Sequence, residues 1–254
     1  QTYIYKYLGW EYPKTLHWGR VKMHEFGKFS TSTLRRAIEE GEYSGWDDPR
    51  LPTLRAMRRR GILPQAIRKF MIEMGVGETD VSISMDTLYA ENRKMVDPIA
   101  NRYFFVWDPV ELSIAGAEPR TVKPPKHPTE NKGHRSIDVA DRVLVCKDDV
   151  EQLEAGSRIR LKDLYNVEIT SIAPLQAKYI GDEVANLKKD RMKIIHWAPV
   201  DGIPVKVLSP DGEFKGIGEK MISTELDKMV QFERFGFCRI DSVGSEIVAY
   251  FTHK

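Results

Sequence analysis

Ile67, Phe70, Met71 and Met74 fall at i, i+3, i+4 and i+7, a single apolar stripe that predicts an amphipathic helix opened by Pro64 and closed by Gly75. Helical punctuation of this kind runs from Gly27 to Pro98. A Ser30 or Ser32 cap precedes Leu34, Ala37 and Ile38 on one face, with Gly41 as the stop; Thr53 caps a helix that Gly61 ends; Ser84 starts one that stops before Asp97-Pro98. In the helix after Thr53, Arg55, Arg58 and Arg59 share one face, and Leu54 and Met57 are expected on the other. At the start, Gln1 to Leu8 reads as the second half of a helix ending at Gly9 with no initiating Met, which suggests a chain that begins in mid-domain.

After Pro98 the texture changes to short runs of β-branched and aromatic residues broken by Pro, Gly and Asp. The strands predicted are Tyr103 to Trp107, Asp138 to Cys146, Ser157 to Leu161, Arg191 to Trp197, Val205 to Leu208, Phe235 to Ile240 and Ile247 to Phe251, with a helical period only near Asp182 to Leu187. Many short strands with turn signals argue for barrels or a sandwich behind a helical first part.

Composition adds little to this picture, because 39 Lys+Arg against 37 Asp+Glu is nearly neutral and announces no polyanion ligand. Local charge says more. From Lys28 to Lys69 there are ten basic residues and five acidic ones. Cys146 and Cys238, the only cysteines, form no CxxC pair and have no histidines at a zinc spacing, so they read as reduced core thiols and no metal site is expected. There is no apolar run of about 18 residues and no leader-like start, which points to a cytoplasmic protein without a membrane span.

Lys28-Phe29-Ser30-Thr31-Ser32 offers hydroxyls, backbone N–H groups and a cation, the parts that a triphosphate-binding loop needs. Taken alone it is a helix cap. It is followed by Gly45-Trp46-Asp47-Asp48-Pro49-Arg50-Leu51-Pro52-Thr53 and then Arg58-Arg59-Arg60-Gly61. In that order these pieces resemble the class I glutamyl/glutaminyl-tRNA synthetases, in which a KMSKS-type ATP loop leads into a tryptophan-acidic-proline signature and an arginine-rich helix. Thr31 departs from the pattern where the family has its second lysine, so Arg35, Arg36 or a group outside the chain would have to supply that charge. His17-Trp18-Gly19-Arg20 only mimics the family's HIGH motif, since it sits eight residues before Lys28.

The likeness continues through the β half: Lys126-His127-Pro128, Ser157 to Leu161 with Lys162 and Tyr165, Ile195-His196-Trp197, and Gln231-Phe232-Glu233-Arg234-Phe235-Gly236-Phe237-Cys238. The resemblance implies anticodon contacts at Arg102, Lys162, Gln231 and Arg234, with Lys162 in place of an arginine and Thr129 in place of an asparagine. It also implies that Arg50, Arg55, Arg58 and Arg59 meet the tRNA stem region, although Arg50 has a scaffold reading as the partner of Asp47 or Asp48. Between Cys146 and Gly156 the run is acidic (Asp148, Asp149, Glu151, Glu154), where the family's glutaminyl branch carries Gln-Tyr-Lys-Arg near the third anticodon base. Discrimination at that base is therefore expected to be loose.

The resemblance implies the end of a Rossmann catalytic domain (1–27), a KMSKS-like loop with a helical stem-contact domain (28–98), a proximal β-barrel (99–149 and 200–254) and a distal β-barrel (150–199). The function implied is the tRNA-binding part of a glutamyl enzyme of archaeal/eukaryotic type, which would use ATP with Mg2+ to attach glutamate to tRNA-Glu, and tRNA-Gln stays open as a second substrate. One ATP motif and the amino-acid pocket are missing, so this chain alone is expected to be inactive. The rivals are a glutaminyl enzyme and a non-catalytic β-barrel RNA-binding module.

Overall fold

The computed structural model describes residues 1–26, 30–184 and 192–254. Its first part is helical: α1 (Thr2–Tyr7), α2 (Thr31–Glu39), α3 (Leu54–Arg60), α4 (Pro64–Met74) and α5 (Met85–Val96). Local chemistry explains the limits of these helices. Ser30, Thr53 and Ser84 each accept a backbone N–H as N-caps, Pro64 fills the first turn of α4, and Gly61 closes α3 in the left-handed region at φ +89°. Two short strands missing from the predicted set, β1 (Val21–Met23) and β2 (Val81–Ile83), pair in parallel. Met57, Ile62, Ala66, Phe70, Met85 and Leu88 form the helical core. Leu54 lies outside this core: it is 70% exposed, at the edge of an apolar groove that it shares with Met57, Ile67 and Phe70.

The β half forms two seven-stranded, barrel-like sheets. Its elements are β3 (Asn101–Tyr103), β4 (Phe105–Trp107), β5 (Pro109–Ala115), β6 (Arg120–Val122), β7 (Ile137–Val139), β8 (Arg142–Cys146), α6 (Lys147–Val150), β9 (Arg158–Leu161), β10 (Asn166–Ile172), β11 (Leu175–Gly181), β12 (Lys193–Ile195), β13 (Ala198–Pro199), β14 (Ile203–Ser209), β15 (Gly212–Gly218), β16 (Met229–Phe232), β17 (Gly236–Val243) and β18 (Ile247–His253). One sheet runs β12-β9-β10-β11-β5-β8-β13, the other β3-β16-β17-β18-β14-β15-β4. Trp197, Tyr165 and Phe104 lie in the core of the first; Phe105, Phe232 and Ile240 lie in that of the second.

Several expectations are corrected here. Asp138 to Cys146 is two strands rather than one: β7 pairs with β6 in a separate ribbon, while β8 enters the first sheet. The strands β5, β10, β11, β15 and β16 were not foreseen. β5 and β8 pair with the sheet built from residues 158–199, so the unit expected over 99–149 and 200–254 does not hold its first part together. The cause lies at Asp108, where a φ of +44° turns the chain out of β4 in one sheet and into β5 in the other. Asp182 to Val184 are not helical, and residues 185–187 of that predicted period, like Arg191 of a predicted strand, lie outside the described residues.

Arg60 fastens the helices to the second sheet. Its side chain, 2% exposed, donates from Nε to Phe251 O at 3.0 Å and from Nη2 to Thr252 O at 2.7 Å and Tyr89 Oη at 2.8 Å. Beside it, Asn92 Oδ1 accepts from Leu63 N at 2.8 Å, and its amide lies 3.0 Å from His253 Nε2. Gly61 suits the point where these parts meet, because its φ of +89° favours glycine and a Cβ there would also displace the Met229 side chain, whose Sδ would lie 2.3 Å away. Replacement Arg60→Met nearly keeps the volume but removes the Arg60 donors from two β18 carbonyls, and should lower stability by about 3 kcal/mol. Urea unfolding should show this as a lower midpoint at unchanged slope, and an unchanged midpoint would remove Arg60 from this role.

Candidate nucleic-acid interface

At the start of α2, Ser30 Oγ accepts from Thr33 N at 3.2 Å and lies 3.0 Å from Ser32 Oγ and 2.7 Å from Thr33 Oγ1. Ser30, Thr31 and Ser32 are exposed, as are Arg35 and Arg36 one turn on; Lys28 and Phe29 of the candidate ATP loop lie outside the described residues. The following loop is built on Asp48. Its buried carboxylate accepts from Ser44 N and Arg50 N, both at 3.0 Å, and from the Arg50 guanidinium at 2.9 and 2.8 Å. Burial by itself would raise this carboxyl, but the Arg50 fork and the two backbone donors outweigh it and hold the group far below the usual carboxylate range. Arg50 also donates to Glu42 O at 2.7 Å. It is thus engaged within its own loop.

The α3 arginines take different positions. Arg55, Arg58 and Arg59 line a cleft of about 550 Å³ with Trp46, Asp47, Arg239 and Asp241. Arg59 is held by Asp47 at 2.7 Å and Asp241 at 3.3 Å and lies 4.5 Å over the Tyr250 ring; Arg239 pairs with Asp241 at 2.8 Å and with Asp227. Arg55 and Arg58 are exposed and make no ion pair among the described residues. Arg239 was missed in the sequence because it is an ordinary outward position of β17 between buried Cys238 and Ile240.

The other four candidates gather at the seam between the two sheets. Arg102 and Gln231 are register partners on the parallel pair β3 and β16. Arg102 Nη2 pairs with Asp97 Oδ1 at 2.8 Å, while Arg102 Nε and Gln231 Oε1 are buried with no partner among the described residues. Lys162, from the turn after β9, pairs with Glu233. Glu233 also lies 3.4 Å from buried Arg135, whose Nη1 donates to Arg102 O and sits 3.0 Å from Glu219. Burial raises the Glu219 carboxyl to about 7, against the opposing pull of Arg135. Arg234 reaches across to Asp149 of α6 at 2.6 and 3.0 Å. His127 is structural: its Nε2–H donates to Asp97 O at 2.9 Å and its Nδ1 accepts from Glu130 N at 2.9 Å.

Donor atoms of Cys146, Asp149 and His196 lie within 4.8 Å of one another, a spacing that could hold a metal ion. Those atoms are already committed. His196 Nε2–H donates to Phe105 O at 2.7 Å, and the Asp149 carboxylate takes Arg234 and Lys193. The Cys146 thiol is pushed up to about 12 by burial, away from the thiolate a metal would need.

Comparison with known proteins fits this geometry. The family model described as "tRNA synthetases class I (E and Q), catalytic domain" matches residues 1–98, and two described as "anti-codon binding domain" of the same class match 100–187 and 194–241. The chain belongs to the class I glutamyl/glutaminyl-tRNA synthetase family. Among its synthetase relatives, proteins named glutamate–tRNA ligase from Methanococcoides burtonii, Methanosarcina mazei and Pyrococcus abyssi are 71%, 68% and 47% identical over the whole chain. The chain spans 45% of the first two relatives and 46% of the third. Among the described residues of this synthetase chain, no helix is long and apolar enough to cross a membrane.

His196 gives the synthetase seam a pH dependence. Burial, reinforced by the Arg234 charge, lowers it from 6.5 to about 4. The unfolded chain therefore takes up a proton that the folded chain refuses, so stability falls as pH drops from about 6.5 towards about 4, by roughly 3 kcal/mol for this group. Glu219 acts in the opposite sense, its share being lost as pH rises from 4.5 to about 7. The expected outcome is that His196→Gln flattens the acid side of the stability profile measured by denaturant unfolding, and Glu219→Gln steepens it.

Proposed function

We propose that this chain is the tRNA-binding part of a cytoplasmic glutamate–tRNA ligase, which uses ATP to activate glutamate and then esterifies the 3′ end of tRNA-Glu. Mg2+ would accompany the ATP, and the chain alone would not aminoacylate. The observation that carries the reading is the seam where Arg102 and Gln231, each with a buried polar atom lacking a partner among the described residues, adjoin Lys162 and Arg234. Buried polar atoms without partners are costly, and a shift of either side chain towards the edge of an unstacked base would satisfy them. The α3 cleft supports the same reading, since Arg55 and Arg58 are free to meet phosphates of the stem region while Arg59 and Arg239 set the wall.

Within this proposal, Lys28 to Ser32 serves the nucleotide, residues before Pro98 serve the ATP site and the stem, and the two sheets serve the anticodon. Glutamate is preferred because the relatives named above are glutamate–tRNA ligases. The acidic α6 region favours loose reading of the third anticodon base, so tRNA-Gln would also be accepted.

Filter binding of the chain to tRNA should fall steeply with salt. Arg102→Gln should weaken binding of an anticodon stem-loop by about 5- to 30-fold and leave an acceptor minihelix without the anticodon unaffected. Equal loss on both RNAs would falsify the anticodon assignment.

A further inference from the structure

Arg234 lies in the turn between β16 and β17 at φ +65°, a left-handed conformation that few residues other than glycine, asparagine or aspartate adopt. The turn is closed by Phe235 N–H donating to Phe232 O at 3.0 Å. From there the side chain crosses from the second sheet to α6, which follows β8 of the first.

Asp149 takes the guanidinium end-on, Oδ2 accepting from Nη1 at 2.6 Å and Oδ1 from Nη2 at 3.0 Å. Nη1 also donates to His196 Nδ1 at 3.2 Å, and that ring is fixed in turn by its bond to Phe105 O. Lys193 Nζ, 2.8 Å from Asp149 Oδ1, balances the carboxylate from another element. The Asp149 side chain is 3% exposed and that of Arg234 is 40% exposed. The end of the guanidinium is therefore occupied on its buried side. Its lateral edge, Nε–H with the second Nη2–H, makes no hydrogen bond among the described residues. A planar fork held at one edge presents the other in a single orientation, and two parallel donors suit a pair of acceptor atoms.

We infer that Asp149 is a positioning residue for RNA binding: it grips Arg234 end-on so that the lateral edge of the guanidinium is presented to acceptor atoms of the anticodon loop. This rests on the proposed contact between Arg234 and the anticodon. The acidic stretch after Cys146 then has two parts. Asp148, Glu151 and Glu154 are exposed and repel RNA, while Asp149 is turned inward and serves RNA binding through its partner. The sign of its effect is the distinguishing mark. Removing a carboxylate close to a polyanion strengthens binding by charge alone, whereas loss of the grip on Arg234 weakens it.

The test measures filter binding of the full chain to an anticodon stem-loop for Asp149→Asn, Arg234→Gln, the double variant and Glu154→Gln. Asp149→Asn should weaken binding by about threefold or more, Glu154→Gln should leave it equal or tighter, and the double variant should be no weaker than Arg234→Gln alone. Tighter or unchanged binding by Asp149→Asn, with Arg234→Gln weakened, overturns the inference. So does an equal further loss from Asp149→Asn in the Arg234→Gln background. If Arg234→Gln binds as well as the parent, the contact itself is wrong, a failure distinct from that of the positioning role. Nitrogen-15 NMR of the unaltered chain provides a readout independent of any variant's folding. The Arg234 Nη–H protons, held by Asp149, should give separate resonances and the Nε–H signal should shift on adding the stem-loop; Nη–H signals averaged by free rotation in the absence of RNA would overturn the inference.

Discussion

A guanidinium withdrawn from water must find acceptors, and that requirement sets how the parts of this chain stand on one another. Arg60 finds them in two carbonyls of β18 and the Tyr89 hydroxyl, so α3 can sit on the second sheet in only one way. Arg135, just before β7, does so through its two Nη groups, with Glu219, Glu233 and the carbonyl of Arg102 from the second sheet around it and the Phe104 ring 4.5 Å away. These two buried arginines tie α3 and the segment before β7 to the second sheet. If, as proposed, one RNA meets both the α3 cleft and the seam, its binding would depend on these ties more than on any single surface contact.

The same requirement separates the cations that can serve a partner from those that cannot. The basic excess between Lys28 and Lys69 shrinks once the ion pairs are drawn, because Arg50, Arg59, Arg60 and Lys69 are engaged within the fold. Arg35, Arg36, Arg55, Arg58 and Arg68 remain exposed without an ion pair among the described residues. In the run Arg58-Arg59-Arg60, three identical letters have three fates: one is open to solvent, one braced by Asp47 and Asp241, one buried. Helical phase predicted a shared face for Arg55, Arg58 and Arg59, and they do line one cleft. It carried no information about Asp241 or Arg239, which come from a strand far along the chain.

This contrast explains what was legible beforehand. The helices could be read because caps, Pro64 and the closing glycines are local signals, and each acts within a few residues of the end it defines. The strands β10 and β11 carry period-two burial, with Val167 and Ile169 inward and Thr170 outward, yet a polar start at Asn166 and the Pro174 turn hid them. β15 holds three glycines and was invisible for that reason; Gly216 is required there because a Cβ would come within 1.9 Å of Val106 O. The division between sheets was mistaken because it turns on the backbone of a single residue, Asp108.

The four seam residues also differ in what a ligand would change for them. Arg102 Nε and Gln231 Oε1 are buried with no partner among the described residues, so a side-chain shift that brings them to an RNA costs those two atoms no hydrogen bond. Arg234 keeps its grip on Asp149 and offers a second edge. Lys162 must release Glu233 before it can turn to a phosphate, an exchange of one anion for another that is close to neutral in energy. Glu233 is not stranded by that exchange, because Arg135 stays beside it at 3.4 Å. In the proposed complex Lys162 would therefore contribute charge and little selectivity, leaving the discriminating contacts to Arg102, Gln231 and Arg234. A lysine can stand in place of an arginine at that position because the role left to it needs a charge and no planar fork.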